Sequence, residues 1–343
     1  MLILGIETSC DDTSVALLEH IGGNQLDIRA NLIASQIEAH QLFGGVVPEI
    51  ASRAHLETLN PLLEELWRQT GASPRDLDLI GVTSGPGLAG ALLVGIAAGK
   101  ALGYALQKPV RAVNHVEGHL CSAWLEKPDL RLPMLSLVVS GGHTDLILTR
   151  DFGAFERLGR TRDDAVGEAY DKVARAIGLE LPGGPNLEKA AQLGDARAFH
   201  FGRSNLEPSF DFSYSGLKTA ASQAFKKEPN RRNDIAASFQ RAAILQLQKQ
   251  VARAIDAFSP ATLGVCGGVA ANGVLRAELG ALCAEKGVDF AVPAPILCTD
   301  NAAMIAAAAW FRARSEGFPR FELESLGFEA RSVWPVSPHN SSE

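Results

Sequence analysis

Leu2-Ile3-Leu4-Gly5-Ile6-Glu7-Thr8-Ser9-Cys10-Asp11-Asp12-Thr13 heads the chain, and its plan decides the fold. Leu2 to Glu7 is short and apolar, the pattern of a buried strand, and Asp11-Asp12-Thr13 turns the chain. Ser14 to Leu18 and Ile28 to Ser35 read as two further strands. Glu49 to Thr70 is an amphipathic helix, with Ile50, Ala54, Leu59, Leu62, Leu63 and Leu66 recurring near helical spacing between charges. Asp78 to Ser84 is a strand and Gly87 to Leu106 a helix rich in Gly and Ala, completing βββαβα by about residue 110.

The pattern then restarts. Leu135 to Val139, Asp145 to Thr149 and Ala154 to Leu158 read as strands. Helices follow at 165–177, 187–193, 215–225 and 233–258. Thr262 to Cys266 is a strand, Asn272 to Glu285 a helix, Asp289 to Val292 a strand and Asp300 to Arg314 a final helix. The chain is therefore α/β, with two lobes that share a plan. The tail after Phe328 is polar and contains proline, and is expected to be loosely held.

Composition narrows the function. The 343 residues are 46% hydrophobic and 21% charged, which suits two domains with sizeable cores. The net charge is -7 and the pI about 5.7, so bulk charge does not draw the chain to nucleic acid. The five cysteines include no C-x-x-C pair and fit free thiols in a reducing cytosol. Ile80 to Gly99 carries no charge, but Ser84-Gly85-Pro86-Gly87 breaks it, so no membrane span is expected. The N-terminus lacks the pattern of a signal peptide. A cytoplasmic protein is expected.

Three turns follow strands: Ile6 to Thr13, Val138-Val139-Ser140-Gly141-Gly142-His143-Thr144, and Val265-Cys266-Gly267-Gly268-Val269-Ala270-Ala271-Asn272. Such turns expose backbone N–H groups able to cradle phosphate. A strand ending in Gly-Gly is usually only a turn, but three at matching places point to phosphate or nucleotide in a cleft between lobes. In Asn114-His115-Val116-Glu117-Gly118-His119, two histidines four residues apart share a helix face with Cβ atoms about 5–6 Å apart, a spacing fit for one metal ion. They read equally as two ordinary histidines, and two leave a metal site incomplete. Asp300, in Cys298-Thr299-Asp300-Asn301, is either the N-cap of the following helix or the third ligand. Asp171, near Glu168 and Arg175 at helical spacing, reads first as part of a solvated charged face. Leu181-Pro182-Gly183-Gly184-Pro185 is a tight loop, either a connector or a backbone contact for a ribose. Basic residues cluster at Arg157, Arg160 and Arg162 and at Lys226, Lys227, Arg231 and Arg232, the best local landing places for a phosphate backbone.

Together with Phe212-Ser213-Tyr214-Ser215-Gly216-Leu217-Lys218, these motifs make the chain resemble the TsaD family, the tRNA N6-adenosine threonylcarbamoyltransferases of the actin/Hsp70/sugar-kinase superfamily. The resemblance runs to about residue 330. It implies a duplicated βββαβα actin-like, ribonuclease H-like ATPase fold, with residues 1–111 plus 300–330 as one lobe, 112–299 as the other and 331–343 as a tail. It implies a divalent metal, Fe(II) before Zn(II), on His115, His119 and Asp300. Val138, Val139, Ser140, Gly141, Gly142, Asp171, Gly184 and Asn272 would contact the adenylate. It also implies threonylcarbamoyl-AMP as donor, with ATP or AMP as further ligands. The acceptor is the adenosine 3′ of the anticodon in tRNAs reading ANN codons. The implied partners are TsaB, a paralogue docking on the first lobe, and the ATPase TsaE. Asn186 stands where some relatives outside bacteria carry an acid.

The implied reaction is acyl transfer, and Asp11 is the candidate for orienting or deprotonating the adenine amine. Two rivals are weighed against it. A zincin protease needs H-E-x-x-H, whereas Val116 follows His115 here. An ATP-driven kinase or binding module would leave the histidine pair unexplained.

Overall fold

The computed structural model describes residues 1–336 apart from Leu42, Gly44, Arg203 and Asn205. The chain divides into two compact units. The first holds Met1–Leu130, Asp151–Ala154 and the described residues from Thr299 on; the second holds Arg131–Arg150 and Phe155–Cys298.

The first unit contains β1 (Leu2–Glu7), β2 (Asp12–Gly22), β3 (Gln25–Ser35), α1 (Ile37–Gln41), α2 (Pro48–Thr70), β4 (Leu77–Gly85), α3 (Ala89–Leu106), β5 (Val110–Asn114) and α4 (His115–Glu126). Its strands are ordered β3-β2-β1-β4-β5. β1 is central, antiparallel to β2 with Ile6 opposite Val15 and parallel to β4 with Ile6 opposite Val82. Leu4 and Ile6 point into one core with Val15, Leu17, Leu66 and Ile80. Each such side chain contributes about 1.5–3 kcal/mol by leaving water. The alternate position, Gly5, meets the last helix of the chain so closely that a Cβ would stand 2.1 Å from the Ala302 carbonyl oxygen. A strand buried on both faces has no polar alternation to show, which is why β1 reads as a continuous apolar run. Among the described residues α3 is one helix long and apolar enough to cross a membrane. It buries Ala91, Leu92, Gly95 and Ile96, and Gly99 lets it settle onto Val82.

The second unit contains β6 (Met134–Val139), β7 (Thr144–Asp151), β8 (Ala154–Arg160), α5 (Val166–Ala176), α6 (Gly183–Ala191), α7 (Ser215–Lys227), α8 (Arg232–Phe258), β9 (Thr262–Cys266), α9 (Gly273–Lys286), β10 (Asp289–Ala291) and α10 (Pro295–Cys298). Its sheet runs β10-β9-β6-β7-β8. Counted from the opening strand of each unit, this is the order of the first sheet. β6 is antiparallel to β7 and parallel to β9, as β1 is to β2 and β4. The duplicated plan expected from the pattern is therefore present in the pairing itself. The core packs Leu135, Leu137 and Leu146 of the sheet with Tyr170, Phe212, Ile235 and Phe239. α11 (Ala302–Glu316) closes the chain's helices and packs on β1, β4 and α4 of the first unit.

Three expectations change. The lobe boundary expected at residue 111 falls after Leu130, because α4 packs along α11 and Trp124 meets the Phe311 ring at 5.7 Å. The chain after Phe328 is not loose through Val336. Arg331 N donates to Ser84 O at 2.7 Å, Gly87 N to Ser332 O at 3.3 Å, and Asn114 Nδ2 to Trp334 O at 2.9 Å. Average polarity hid backbone pairing. The expected tail's residues 337–343 lie outside the described residues. Finally, α6 begins at Gly183, so the Pro-Gly-Gly-Pro stretch is its first turn rather than a loop before Leu187. Proline is tolerated there because first-turn N–H groups have no helical partner.

Candidate functional site

β5 ends at Asn114, whose Oδ1 accepts from Val116 N at 2.9 Å and Glu117 N at 3.4 Å. This N-cap starts α4 at His115. His115 and His119 then lie one turn apart, buried, with ring centroids 4.8 Å apart and planes at 83°. The capping role left open for Asp300 belongs to Asn301, whose Oδ1 accepts from Met304 N at 3.1 Å. Asp300 turns instead to the imidazoles, with Oδ1 3.4 Å from His115 Nε2 and 3.2 Å from His119 Nε2. One ligand atom from each of the three residues lies within 4.8 Å of the others. All three belong to the first unit.

Glu7, to which the sequence reading assigned no role, completes this pocket. It is fully buried at the end of β1. Its carboxylate accepts from His115 Nδ1 at 2.9 Å, Ser9 N at 2.5 Å and Thr83 Oγ1 at 2.7 Å. The available signal was a charged residue closing an otherwise apolar buried strand. Burial pushes the Glu7 and Asp300 carboxyls up, but His115 with the Thr83 hydroxyl outweighs it at Glu7, and His115 with His119 at Asp300, holding both below their ordinary values. Burial likewise pushes His115 down, yet Asp300 and Glu7 raise it well above its usual value.

The residues fit a divalent cation. Two buried carboxylates, Glu7 and Asp300, face these imidazoles, a negative charge that a divalent cation would offset. Both ring nitrogens of His119 are buried without a hydrogen-bond partner among the described residues. A buried nitrogen facing a carboxylate out of hydrogen-bond alignment is what a missing ligand bond leaves behind. Two nitrogens and one carboxylate oxygen suit Fe(II) or Zn(II).

Asp11 occupies the turn between β1 and β2, half-buried, its carbonyl accepting from Gln36 N at 3.0 Å. Burial first, then Asp11 and Asp300, raise the Cys10 thiol, so both acids act on the same turn. Buried His55 holds that turn from behind, with Nε2 3.0 Å from Cys10 O and Nδ1 2.7 Å from Thr13 Oγ1. All five cysteines are thiols rather than halves of disulfides.

The remaining expected residues gather in the second unit. Val138 and Val139 end β6, buried. Ser140 Oγ accepts from Gly142 N at 3.3 Å and His143 N at 3.0 Å, while Gly167 N of α5 donates to Ser140 O at 3.2 Å. Among the described residues, chain neighbours aside, no atom lies within 4 Å of where a Cβ on Gly141, Gly142 or Gly184 would stand, so these backbones are open to approach. Asp171 is not part of a solvated face: its Oδ1 accepts from Gly183 N at 2.8 Å, fixing the start of α6. Burial raises its carboxyl, opposed by the Gly183 and Gly184 N–H groups. Asn272 caps α9 by accepting from Leu275 N at 2.9 Å and donates to Gln240 Oε1 at 3.0 Å. Glu188 Oε1, accepting from Gly273 N at 2.9 Å, ties α6 to that cap. Asn186 Nδ2 donates to the Glu180 carbonyl at 3.0 Å.

Glu117 is held by Arg312, with Nε 2.9 Å from Oε2, which counts further against the protease alternative. Of the basic clusters, Arg162 pairs with Asp211, and Arg231 with Glu228 and Asp234, which leaves less positive surface than the sequence suggests.

The profile of one protein family, described as "TsaD: tRNA N6-adenosine threonylcarbamoyltransferase", matches residues 27–307. A protein of that name from Symbiobacterium thermophilum is 48% identical over 314 residues, covering 90% of this chain and 91% of the relative. One from Clostridium kluyveri is 48% identical over 316 residues, covering 90% and 92%. Among solved structures, full-length HypF in its phosphate- and nucleotide-bound form superposes with TM-score 0.62 at 12% identity, over 94% of this chain and 56% of that one. Component A of the Acidaminococcus fermentans (R)-2-hydroxyglutaryl-CoA dehydratase gives 0.52 at 15% identity, over 92% and 99%. At such identities these structures speak for the actin-like fold alone.

Proposed function

The chain belongs to the TsaD family of tRNA N6-adenosine threonylcarbamoyltransferases, and from that premise we propose that it transfers a threonylcarbamoyl group from threonylcarbamoyl-AMP to tRNA. The acceptor is the N6 amine of the adenosine 3′ of the anticodon in tRNAs reading ANN codons. The observation that carries the reading is the convergence of His115, His119 and Asp300 within 4.8 Å, which neither a plain helix nor a kinase requires.

In this reaction the N6 nitrogen attacks the carbamoyl carbon. A C–N bond forms, the C–O bond to phosphate breaks, AMP leaves with that electron pair, and the amine loses one proton. His115, His119 and Asp300 would hold a divalent ion, Fe(II) before Zn(II), which supplies Lewis-acid polarisation and offsets phosphate charge when bound. The backbone of Ser140, Gly141 and Gly142, with the α6 start at Gly184, would receive the adenylate, Asp171 and Asn272 keeping those segments in place. Asp11 would orient the amine or take its proton. Adenine's amine is a weak nucleophile, so positioning contributes more than proton transfer. At net charge -7, with its basic clusters partly paired, the chain calls for partners to hold tRNA; TsaB and TsaE fill that role in this reading, in the cytoplasm.

The test is reconstitution of the Fe(II)-loaded chain with TsaB, TsaE, ATP, tRNA and labelled threonylcarbamoyl-AMP. Label in tRNA with release of AMP is expected. Magnesium-dependent ATP hydrolysis with unlabelled tRNA would overturn the reading in favour of a kinase or binding module.

A further inference from the structure

We propose that Glu7 is a positioning residue for this site: its carboxylate holds His115 as the Nδ1–H tautomer, with the Nε2 lone pair turned to where Asp300 and His119 converge. The inference rests on the metal-binding reading above.

The hydrogen bonds set the tautomer. An ionised carboxylate only accepts. The three groups on Glu7 must therefore all donate: Ser9 N–H at 2.5 Å, the Thr83 hydroxyl at 2.7 Å and His115 Nδ1–H at 2.9 Å. In a neutral imidazole with Nδ1 protonated, Nε2 carries the lone pair. Nε2 is the atom that faces Asp300, at 3.4 Å. Ser9 Oγ, 3.2 Å from the same Nδ1, shares the proton's side of the ring. His119 has no such support, since its Nδ1 is buried without a partner among the described residues.

The placement is rigid. Glu7 ends the central strand, fully buried, with neighbours paired on both sides. Two residues earlier, Gly5 lies against Ala302, and Ala302 N donates to Ser14 Oγ of β2 at 2.9 Å. The strands that carry Glu7 thus also anchor the segment that carries Asp300. A carboxylate behind a ligating imidazole fixes its orientation and raises its basicity, and loss of such a partner typically weakens metal affinity about 10- to 100-fold.

The experiment titrates the metal-stripped full chain with Co(II), followed by its visible absorption, for wild type, Glu7→Gln and Thr83→Val. Glu7→Gln is expected to bind about 10- to 100-fold more weakly. Thr83→Val, which removes one donor to Glu7, should fall between. Wild type that binds no Co(II) would overturn the metal reading and this inference with it. Binding by wild type and by folded Glu7→Gln within about threefold of each other would overturn this inference alone. If Glu7→Gln does not fold, proton–nitrogen correlation NMR of the Zn(II)-loaded wild type decides. A proton on His115 Nδ1 supports the proposal, and a proton on Nε2 overturns it.

Discussion

Asn114→Ala should test the support of α4, the helix that carries His115 and His119. Asn114 Oδ1 serves two N–H groups of the first turn of α4, and its Nδ2 serves the Trp334 carbonyl. The residue is fully buried, so water cannot readily replace it. Losing the cap costs about 0.5–2 kcal/mol, and leaving the Trp334 carbonyl without this donor costs about another 1 kcal/mol. The sum, about 1.5–3 kcal/mol, corresponds to a fall in Tm of roughly 3–12 °C for a unit of this size. Asn114→Asp keeps the acceptor and loses the donor, so it should recover most of the cap share and none of the tail share. Urea unfolding and calorimetry of the metal-free chain measure both variants. A loss below about 0.5 kcal/mol for Asn114→Ala, or an Asp variant no better than Ala, would refute the view that this side chain ties α4 to the C-terminal strap.

Gly5→Ala should abolish soluble expression or cost at least about 3 kcal/mol, because the new Cβ meets the Ala302 backbone oxygen at 2.1 Å; soluble yield and urea melts check it. Burial raises the Asp145 carboxyl to about 6, with Arg157 and Arg160 opposing. A folded pKa above the unfolded one means that the native state holds the extra proton, so this residue's cost is absent below about pH 4 and complete above about pH 6. Asp145→Asn should therefore stabilise the chain at pH 8 on the order of 2 kcal/mol and have little effect near pH 4, as urea melts at the two pH values will show. Asp171→Ala and Asn272→Ala should weaken binding of AMP or a stable adenylate analogue without releasing the metal, as calorimetry alongside elemental analysis would show. Ending the chain at Ala330 should lower Tm through loss of the pairings to Ser84, Gly87 and Asn114, and an unchanged melting curve would count against the strap.

What was legible in the sequence was whatever periodicity or spacing expresses. β1 and β6 open their units as apolar runs, and the shared plan of the two units shows in the succession of elements, whereas the strand order comes from the fold. The histidine pair was legible because helical spacing alone puts His115 beside His119. The sequence left Asp300 open between cap and ligand because Asp and Asn cap equally well; only the fold shows that Asn301 takes the cap. Glu7 stayed hidden because its role depends on the chain leaving β5 coming within reach of the end of β1 across the intervening β4, a side-chain contact spanning 108 residues. Two other misses share that cause. α4 follows a strand as though entering a second lobe, yet its partner is α11 near the end of the chain. Arg331 to Trp334 looks polar and loose, yet its backbone finds Ser84, Gly87 and Asn114.

The most direct test of the central claim is nucleoside mass spectrometry of tRNA from reconstituted reactions with wild-type chain and with Asp300→Ala, each with TsaB, TsaE and threonylcarbamoyl-AMP. Wild type should yield threonylcarbamoyl-adenosine, and Asp300→Ala no more than a reaction without the chain. Modification by Asp300→Ala at the wild-type rate would contradict the assignment of His115, His119 and Asp300 as the centre of the transfer.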